Sequence, residues 1–310
     1  MSARPLVVIG SINQDVFTFV DALPRPGETI LARSTLTSLG GKGCNQAVAA
    51  ALVGAEVHFV GAVGADAAGD FALQSLADGG VDTSAVARMT DAATGVAYIT
   101  VDDHGENVIV VASGANARVT AVSASAALLT LLESLADDPV LLVQGELPAE
   151  VNAAVAGIAR ERGLTLVLNL APVSAIDAST ISTAAPLIVN ETEAADLLEG
   201  GSASSLADHF GIDVVVTVGA EGAIIATGGS TVRQPSPVPA AVVDTTGAGD
   251  AFVGVLAAGL CFGESIAEAS RRAVVAASRS VERAGTTTSY ATAAELEPLL
   301  AGAPEVVAAS

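Results

Sequence analysis

Asp244-Thr-Thr-Gly-Ala-Gly-Asp250 runs directly into Ala251-Phe-Val-Gly-Val-Leu-Ala-Ala-Gly-Leu260. The join reads as a glycine loop entering a helix that is apolar on all sides, and such a helix belongs in an interior. Loop amides at a helix N-terminus converge on an anion, as a transferred phosphoryl group requires. Asp250 falls in the first turn, where it is either an N-cap or a carboxylate placed beside that anion. Both readings stand on the local sequence.

Outward from this loop, short apolar runs alternate with longer alanine-rich stretches of helical period. Residues 6–9, 57–60, 140–143, 164–168, 187–189 and 214–218 read as buried strands. Residues 44–53, 67–78, 123–136, 149–162, 192–199, 248–260 and 265–283 read as helices. This alternation predicts a three-layer α/β sandwich with a mostly parallel central sheet and helices on both faces. Two stretches break the pattern, with 16–20 pairing 29–37 and 95–101 pairing 107–111 as antiparallel hairpins. They predict either a small β-sheet lid, inserted at about 12–39 and 95–112, or an extension of the main sheet's edge. No repeat or linker divides residues 1–310, so one domain is expected, with a frayed tail over 303–310.

The chain has 310 residues, of which 51% are hydrophobic and 15% charged, enough to bury a large core. Its formal net charge of −21 speaks against nucleic acid or an anionic membrane surface as partner. No apolar run has the length of a membrane span and no signal segment is evident, so a cytoplasmic protein is expected. Cys44 and Cys261 fit no metal or redox spacing, and the three histidines lie in unrelated contexts. Chemistry must therefore rest on carboxylates, backbone groups and Lys42, the single lysine of the chain.

Lys42 sits in Leu39-Gly-Gly-Lys-Gly-Cys-Asn45, where three glycines let backbone approach a ligand closely. It is not a Walker A lysine, since no Gly-x-x-x-x-Gly-Lys spacing precedes it and no Ser or Thr follows. Gly61-Ala-Val-Gly64 likewise lacks the full dinucleotide fingerprint. Gly10-Ser-Ile-Asn-Gln-Asp15 places Asn13 and Asp15 after the first strand, where open α/β sheets bind ligands. An Asx-turn explains them equally well. Glu146 follows another strand. Asn190 and Glu193 form either a capping box or a water-mediated Mg²⁺ site.

Together these stretches resemble the PfkB family of carbohydrate kinases, in particular its ribokinase branch, from Gly10 to about Ser289. Gly40-Gly-Lys-Gly-Cys-Asn45 and Asp244-Thr-Thr-Gly-Ala-Gly-Asp250 carry most of the likeness. Supporting it are Pro26-Gly-Glu28, Gly105-Glu-Asn-Val-Ile109, Gly114-Ala-Asn116 and Thr217-Val-Gly-Ala-Glu-Gly222. The resemblance implies a ribokinase-like fold and ATP-dependent phosphorylation of the primary hydroxyl of D-ribose, with Asp250 as general base. Amides of Gly247, Ala248 and Gly249 would stabilise the transferring group. Asn13, Asp15, Gly41, Lys42, Asn45 and Glu146, with Asp250, would hold the sugar. Asn190, Thr217, Gly219, Gly222 and Gly249 would hold ATP, and Glu193 would organise Mg²⁺ through water. A K⁺ activator is implied at Asp244, Thr246, Ser280, Arg283, Gly285 and Ser289, although Gly285-Thr-Thr-Thr-Ser289 departs from the family's Gly-Ala-x-x-Ser. A homodimer through the lid strands is implied as well.

Other substrates on the same scaffold are fructose, ketodeoxygluconate, nucleosides or sugar phosphates. Twelve arginines spread thinly and one lysine argue against a sugar phosphate, which wants several cations. A nucleoside wants aromatic surface, which Phe17, Phe19 and Tyr98 offer, although strand packing accounts for them too. A non-catalytic sugar or nucleotide sensor is the reading from another class, and retention of Asp250 with its glycines argues against it.

Overall fold

The computed structural model describes residues 3–309. The chain begins with β1 (Leu6–Ile9), β2 (Asn13–Phe19), β3 (Ser34–Gly40), α1 (Lys42–Leu52), β4 (Val57–Gly64), α2 (Ala67–Asp78), β5 (Val81–Asp82) and β6 (Val86–Met89). It continues through β7 (Gly95–Val101), β8 (Asn107–Ala112), α3 (Ala121–Ser134), β9 (Val140–Gln144), α4 (Ala149–Arg162), β10 (Thr165–Asn169) and α5 (Ala178–Ile181). Then come β11 (Leu187–Asn190), α6 (Glu191–Leu197), α7 (Ala203–Phe210), β12 (Val214–Thr217), β13 (Ala223–Thr227) and β14 (Ser230–Gln234). The last elements are α8 (Ala248–Cys261), α9 (Ile266–Ser280), α10 (Ala293–Leu300) and β15 (Val307–Ala308).

The main sheet has the order β15-β14-β13-β12-β11-β10-β9-β1-β4-β5, with β6 also on β4. From β12 to β5 all pairs are parallel. Strands of this kind are covered on both faces, which is why they read as unbroken apolar runs. In β1, Leu6 and Val8 join the core layer of α1, α2, α8 and α9, while Val7 and Ile9 join that of α3, α4 and α7. Each such side chain taken from water contributes about 1.5–3 kcal/mol before the entropy of ordering is charged against it.

Helix α8 is buried at every residue from Asp250 to Cys261. Its packing against α1 depends on Gly254, where an added Cβ would lie 2.2 Å from the Gln46 carbonyl oxygen. A side chain at that position would force the two helices apart.

The two expected hairpins do not extend the main sheet's edge; they form a separate four-stranded sheet, β3-β2-β7-β8. Strands β2 and β7 run parallel from Asn13↔Gly95, so the two hairpins share one surface. The Asn116 side chain fastens its base, accepting from Ile12 N at 2.9 Å and donating to Ile12 O at 3.0 Å and Asn13 Oδ1 at 2.8 Å.

Several sequence expectations are corrected. Helix α9 ends at Ser280 rather than 283, because Val281 to Arg283 turn to meet the 244 loop. β3 starts at Ser34 rather than 29. The sheet continues past β12 into an antiparallel β12-β13-β14 meander that the run 214–218 alone did not announce. The expected frayed tail contains β15, which pairs with Val232 and Arg233 of β14, and Ser310 lies outside the described residues. No helix among the described residues is long and apolar enough to cross a membrane.

Candidate active site

Chain order and sheet order part company at β1. The chain leaves β1 toward β4 on one side and later returns on the other side as β9, so the strands' carboxyl ends open a crevice between β1 and β9. Ligands bind at such switch points in open α/β sheets. Ser11 follows β1 and Glu146 follows β9, and the Ser11 hydroxyl donates to Glu146 Oε2 across the crevice. Lys42 N, the first amide of α1, donates to that same oxygen at 2.9 Å. The other oxygen, Oε1, has no hydrogen-bond partner among the described residues.

Helix α1 begins at Gly41, whose φ of +90° only glycine adopts easily, and no side chain of that residue caps it. At Gly40 an added Cβ would fall 2.0 Å from Asp15 Oδ1, so the glycine makes room for this carboxylate. Burial pushes the Asp15 carboxyl up to about 6, with the Glu146 and Asp250 charges adding to it. The Lys42 ammonium holds its proton more tightly than usual because of Asp250, against the opposing effect of burial and with help from Glu146 and Glu193. One cation thus stands among carboxylates that converge from β2, β9, α6 and α8. Asn13 makes no Asx-turn; its Oδ1 is taken by Asn116, which leaves its N–H groups for a ligand.

Helix α8 begins at Gly247 in the left-handed conformation, φ 76°, again with no side-chain cap. Helices α3, α6 and α9 start with capping boxes, whereas α1, α4 and α8 start without a side-chain cap. Ala248 N donates to the Thr245 carbonyl at 3.3 Å, and a Cβ on Gly249 would meet nothing within 4 Å. Asp250 is therefore not the N-cap; it stands three residues on and is buried. Its Oδ2 accepts from Asn45 Nδ2 at 2.9 Å and its Oδ1 from Gln46 Nε2 at 2.9 Å. Sequence reasoning named Asn45 but missed Gln46, the next residue of the same glycine-rich stretch.

Beside this point a cleft of about 460 Å³ is lined by Asn190, Thr217, Gly219, Gly222 and Gly249. The five come from β11, the β12–β13 turn and α8, and all were expected to share a ligand. The cleft is also lined by the apolar residues Val242, Phe252, Val274 and Val281, none of which the sequence marked out. A partly apolar cleft at a glycine-rich helix start suits a nucleotide base and its phosphates. Asn190 and Glu193 do form a capping box, with reciprocal bonds of 2.8 Å. Burial raises the Glu193 carboxyl above its usual range, although the Asn190 N–H and Lys42 oppose it.

Of the residues expected around a monovalent cation, Asp244 ties the loops together, accepting from Thr246 N at 2.9 Å and Gly285 N at 3.0 Å. Burial disfavours its charge, but these bonds outweigh that and hold its carboxyl below the usual range. Arg283 turns its guanidinium to Glu295, while the Ser280 and Ser289 hydroxyls bond the carbonyls of Ala277 and Thr286. The Arg283 guanidinium has no oxygen to offer an ion, whereas backbone carbonyls and the lone pairs of the two donating hydroxyls can serve as ligands. Cys44 and Cys261 are free and buried. Among the described residues no cluster of three or more His, Cys, Asp or Glu is placed to hold a metal directly.

The chain is 37% identical over 297 residues to the ribokinase of Bacillus subtilis, covering 96% of this chain and 99% of that protein. It is 33% identical over 301 residues to the ribokinase of Mus musculus, covering 93% and 92%. Its fold matches that of Arabidopsis thaliana ribokinase complexed with ribose and ATP at a TM-score of 0.85, with 30% identity and coverage of 96% and 99%. The model of the pfkB family of carbohydrate kinases matches residues 3–293, and the chain belongs to that family.

Proposed function

We propose that this chain transfers the γ-phosphoryl group of ATP to the primary 5-hydroxyl of D-ribose, giving ribose 5-phosphate and ADP. The observation that carries the reading is Asp250, a carboxylate fixed by two amides at the uncapped glycine start of α8, between the cleft and the crevice. Relatives named ribokinase, and a fold neighbour complexed with ribose and ATP, support the choice of substrates.

In this mechanism Asn13, Asp15, Gly41, Lys42, Asn45 and Glu146 seat the sugar, the carboxylates accepting its hydroxyls and Lys42 and the amides donating. Asp250 takes the proton of the 5-hydroxyl as that oxygen attacks the γ-phosphorus and the bond to the β-phosphate oxygen breaks. Charge on the transferring group meets the amides of Gly247 and Gly249, and that of Ala248 as it shares or gives up its 3.3 Å bond to the Thr245 carbonyl. Asn190, Thr217, Gly219, Gly222 and Gly249 seat ATP.

Hard oxygen donors with space for water suit Mg²⁺. Glu193 fits this, since only its Oε2 is committed to the Asn190 N–H. With Asn190 it would hold the ion's water ligands, and the ion would neutralise phosphate charge. The carbonyl-rich junction of Asp244, Thr246, Ser280, Arg283, Gly285 and Ser289 suits K⁺, held mainly by backbone oxygens.

The whole chain would act as one catalytic domain, with the small sheet as its lid. That sheet exposes Leu36, Ile109 and Val111 on one face and Tyr98 and Val110 on the other, apolar surface suited to a lid-to-lid homodimer. Light scattering at micromolar concentration checks this, and a monomer would contradict it. Free buried cysteines and the use of ATP favour action in the cytoplasm.

The test is ATP-dependent phosphorylation of ribose, deoxyribose, fructose, ketodeoxygluconate and uridine, with Mg²⁺ and with K⁺ or Na⁺. Ribose should be the preferred substrate. Preference for another panel member moves the substrate assignment, and binding without turnover on all of them makes the chain a sensor.

A further inference from the structure

Gln46 is fully buried, yet it makes three side-chain hydrogen bonds to polar groups from three other elements. Its Nε2 donates to Asp250 Oδ1 at 2.9 Å and to Asn169 Oδ1 at 2.9 Å, and its Oε1 accepts from Gln144 Nε2 at 3.0 Å. A carboxamide can point either way, but here the neighbours permit one orientation. Asn169 Nδ2 donates to the Ile188 carbonyl at 3.1 Å, and since that carbonyl only accepts, Asn169 must turn its oxygen to Gln46. Ionised Asp250 also only accepts. Gln46 therefore shows its nitrogen to both, and Gln144 must donate to the oxygen that remains.

Residues Gln46, Gln144 and Asn169 come from α1, β9 and β10, at the carboxyl ends of the central strands. Three buried amides are an unfavourable choice for stability alone, because each costs free energy unless bonded and apolar groups of like volume carry no such risk. The set is not even complete, since Gln144 Oε1 has no partner among the described residues and lies where a side chain on Gly10 would stand. What these bonds share is that they fix Gln46: Gln144 donates to its oxygen and Asn169 accepts from its nitrogen, which leaves that nitrogen facing Asp250.

The geometry points to Gln46 as a positioning residue for Asp250, locked in one orientation by Asn169 and Gln144. This inference rests on the proposed kinase reaction. Asn45 holds the second oxygen of Asp250 and is also a sugar residue, whereas Gln46 lies behind the carboxylate and has no exposed surface with which to meet substrate. Its contribution is to the aim of the base, and so to turnover rather than to binding.

The test is steady-state kinetics of the full chain, with circular dichroism and a thermal midpoint as controls for folding. Gln46→Met keeps the length and removes the donor; kcat should fall about 10²-fold while KM for sugar and for ATP stays within about threefold. Asn169→Ala touches neither Asp250 nor the sugar residues, and kcat should fall about tenfold with the same KM values. The double variant should be no slower than Gln46→Met, because both act through one bond. A folded Gln46→Met with kcat within threefold of the parent, additive losses, or a loss confined to KM overturns the inference. If Gln46→Met does not fold, Asn169→Ala decides alone, and unchanged kcat overturns it. A parent that prefers another sugar moves the substrate assignment and leaves this comparison to run on that sugar. A parent that turns over none of them refutes both.

Discussion

The backbone N–H of Lys42 and the side-chain hydroxyl of Ser11 share one acceptor, Glu146 Oε2. A carboxylate at the end of β9 thereby serves as the missing cap of α1 and joins the two strand ends that frame the crevice. The side chain proposed to bind sugar is thus also a structural tie.

Glu146→Ala should therefore do two things. Loss of the acceptor at the start of α1 should lower stability by about 1 kcal/mol, as loss of a cap does. KM for ribose should rise at least about tenfold with KM for ATP unchanged, since Glu146 does not line the cleft proposed for ATP. Chemical denaturation and two-substrate kinetics read the two effects separately.

Gly249 and Gly247 make a contrasting pair. A Cβ on Gly249 meets no protein atom, so Gly249→Ala should fold with nearly parental stability while its methyl intrudes on the phosphates, lowering kcat by about tenfold or more. A Cβ on Gly247 would lie 2.4 Å from Thr286 Cγ2 on a backbone of positive φ. Gly247→Ala should be destabilised by about 1 kcal/mol or more as well as slow. Thermal unfolding distinguishes the two.

Asp15 sets a pH dependence. Its carboxyl is raised to about 6 by burial first, then by Glu146 and Asp250, from an ordinary value of 3.8. Sugar hydroxyls need its ionised form, so ribose affinity should weaken as pH falls below about 6, and Asp15→Asn should flatten that limb. For stability the sign is opposite: between 3.8 and about 6 the native state holds more protons than the unfolded chain, so this group's contribution declines as pH rises through the window. Asp15→Asn should gain stability relative to the parent above about pH 6, and the gain should vanish below about pH 4.

Much of the site was legible because its glycines are demanded by local geometry. Gly41 and Gly247 have positive φ at the starts of helices, and Gly40 gives room to Asp15, so the stretches around Lys42 and Asp250 announce themselves. The parallel strands were equally plain, since burial on both faces leaves an unbroken apolar run. Features set by tertiary contact were not legible. Gln46 reads as one more residue of a helical pattern until Asn169 and Gln144 arrive from strands about a hundred residues away. Asn116 was seen only as part of a resemblance, and its three bonds at the base of the small sheet depend on Ile12 and Asn13. The apolar cleft lining of Val242, Phe252 and Val281 is indistinguishable in sequence from core. Strand β15, two residues long, has no pattern of its own and exists because β14 offers an edge.

The central claim is that Asp250 is the base of a phosphoryl transfer to ribose. The most direct measurement is turnover of ribose and ATP by Asp250→Asn beside the parent chain, with both affinities measured by calorimetry. The account predicts that kcat falls by about 10²–10⁴-fold while ribose and ATP still bind within about fivefold of the parent. A variant that phosphorylates ribose within tenfold of the parental rate would contradict it.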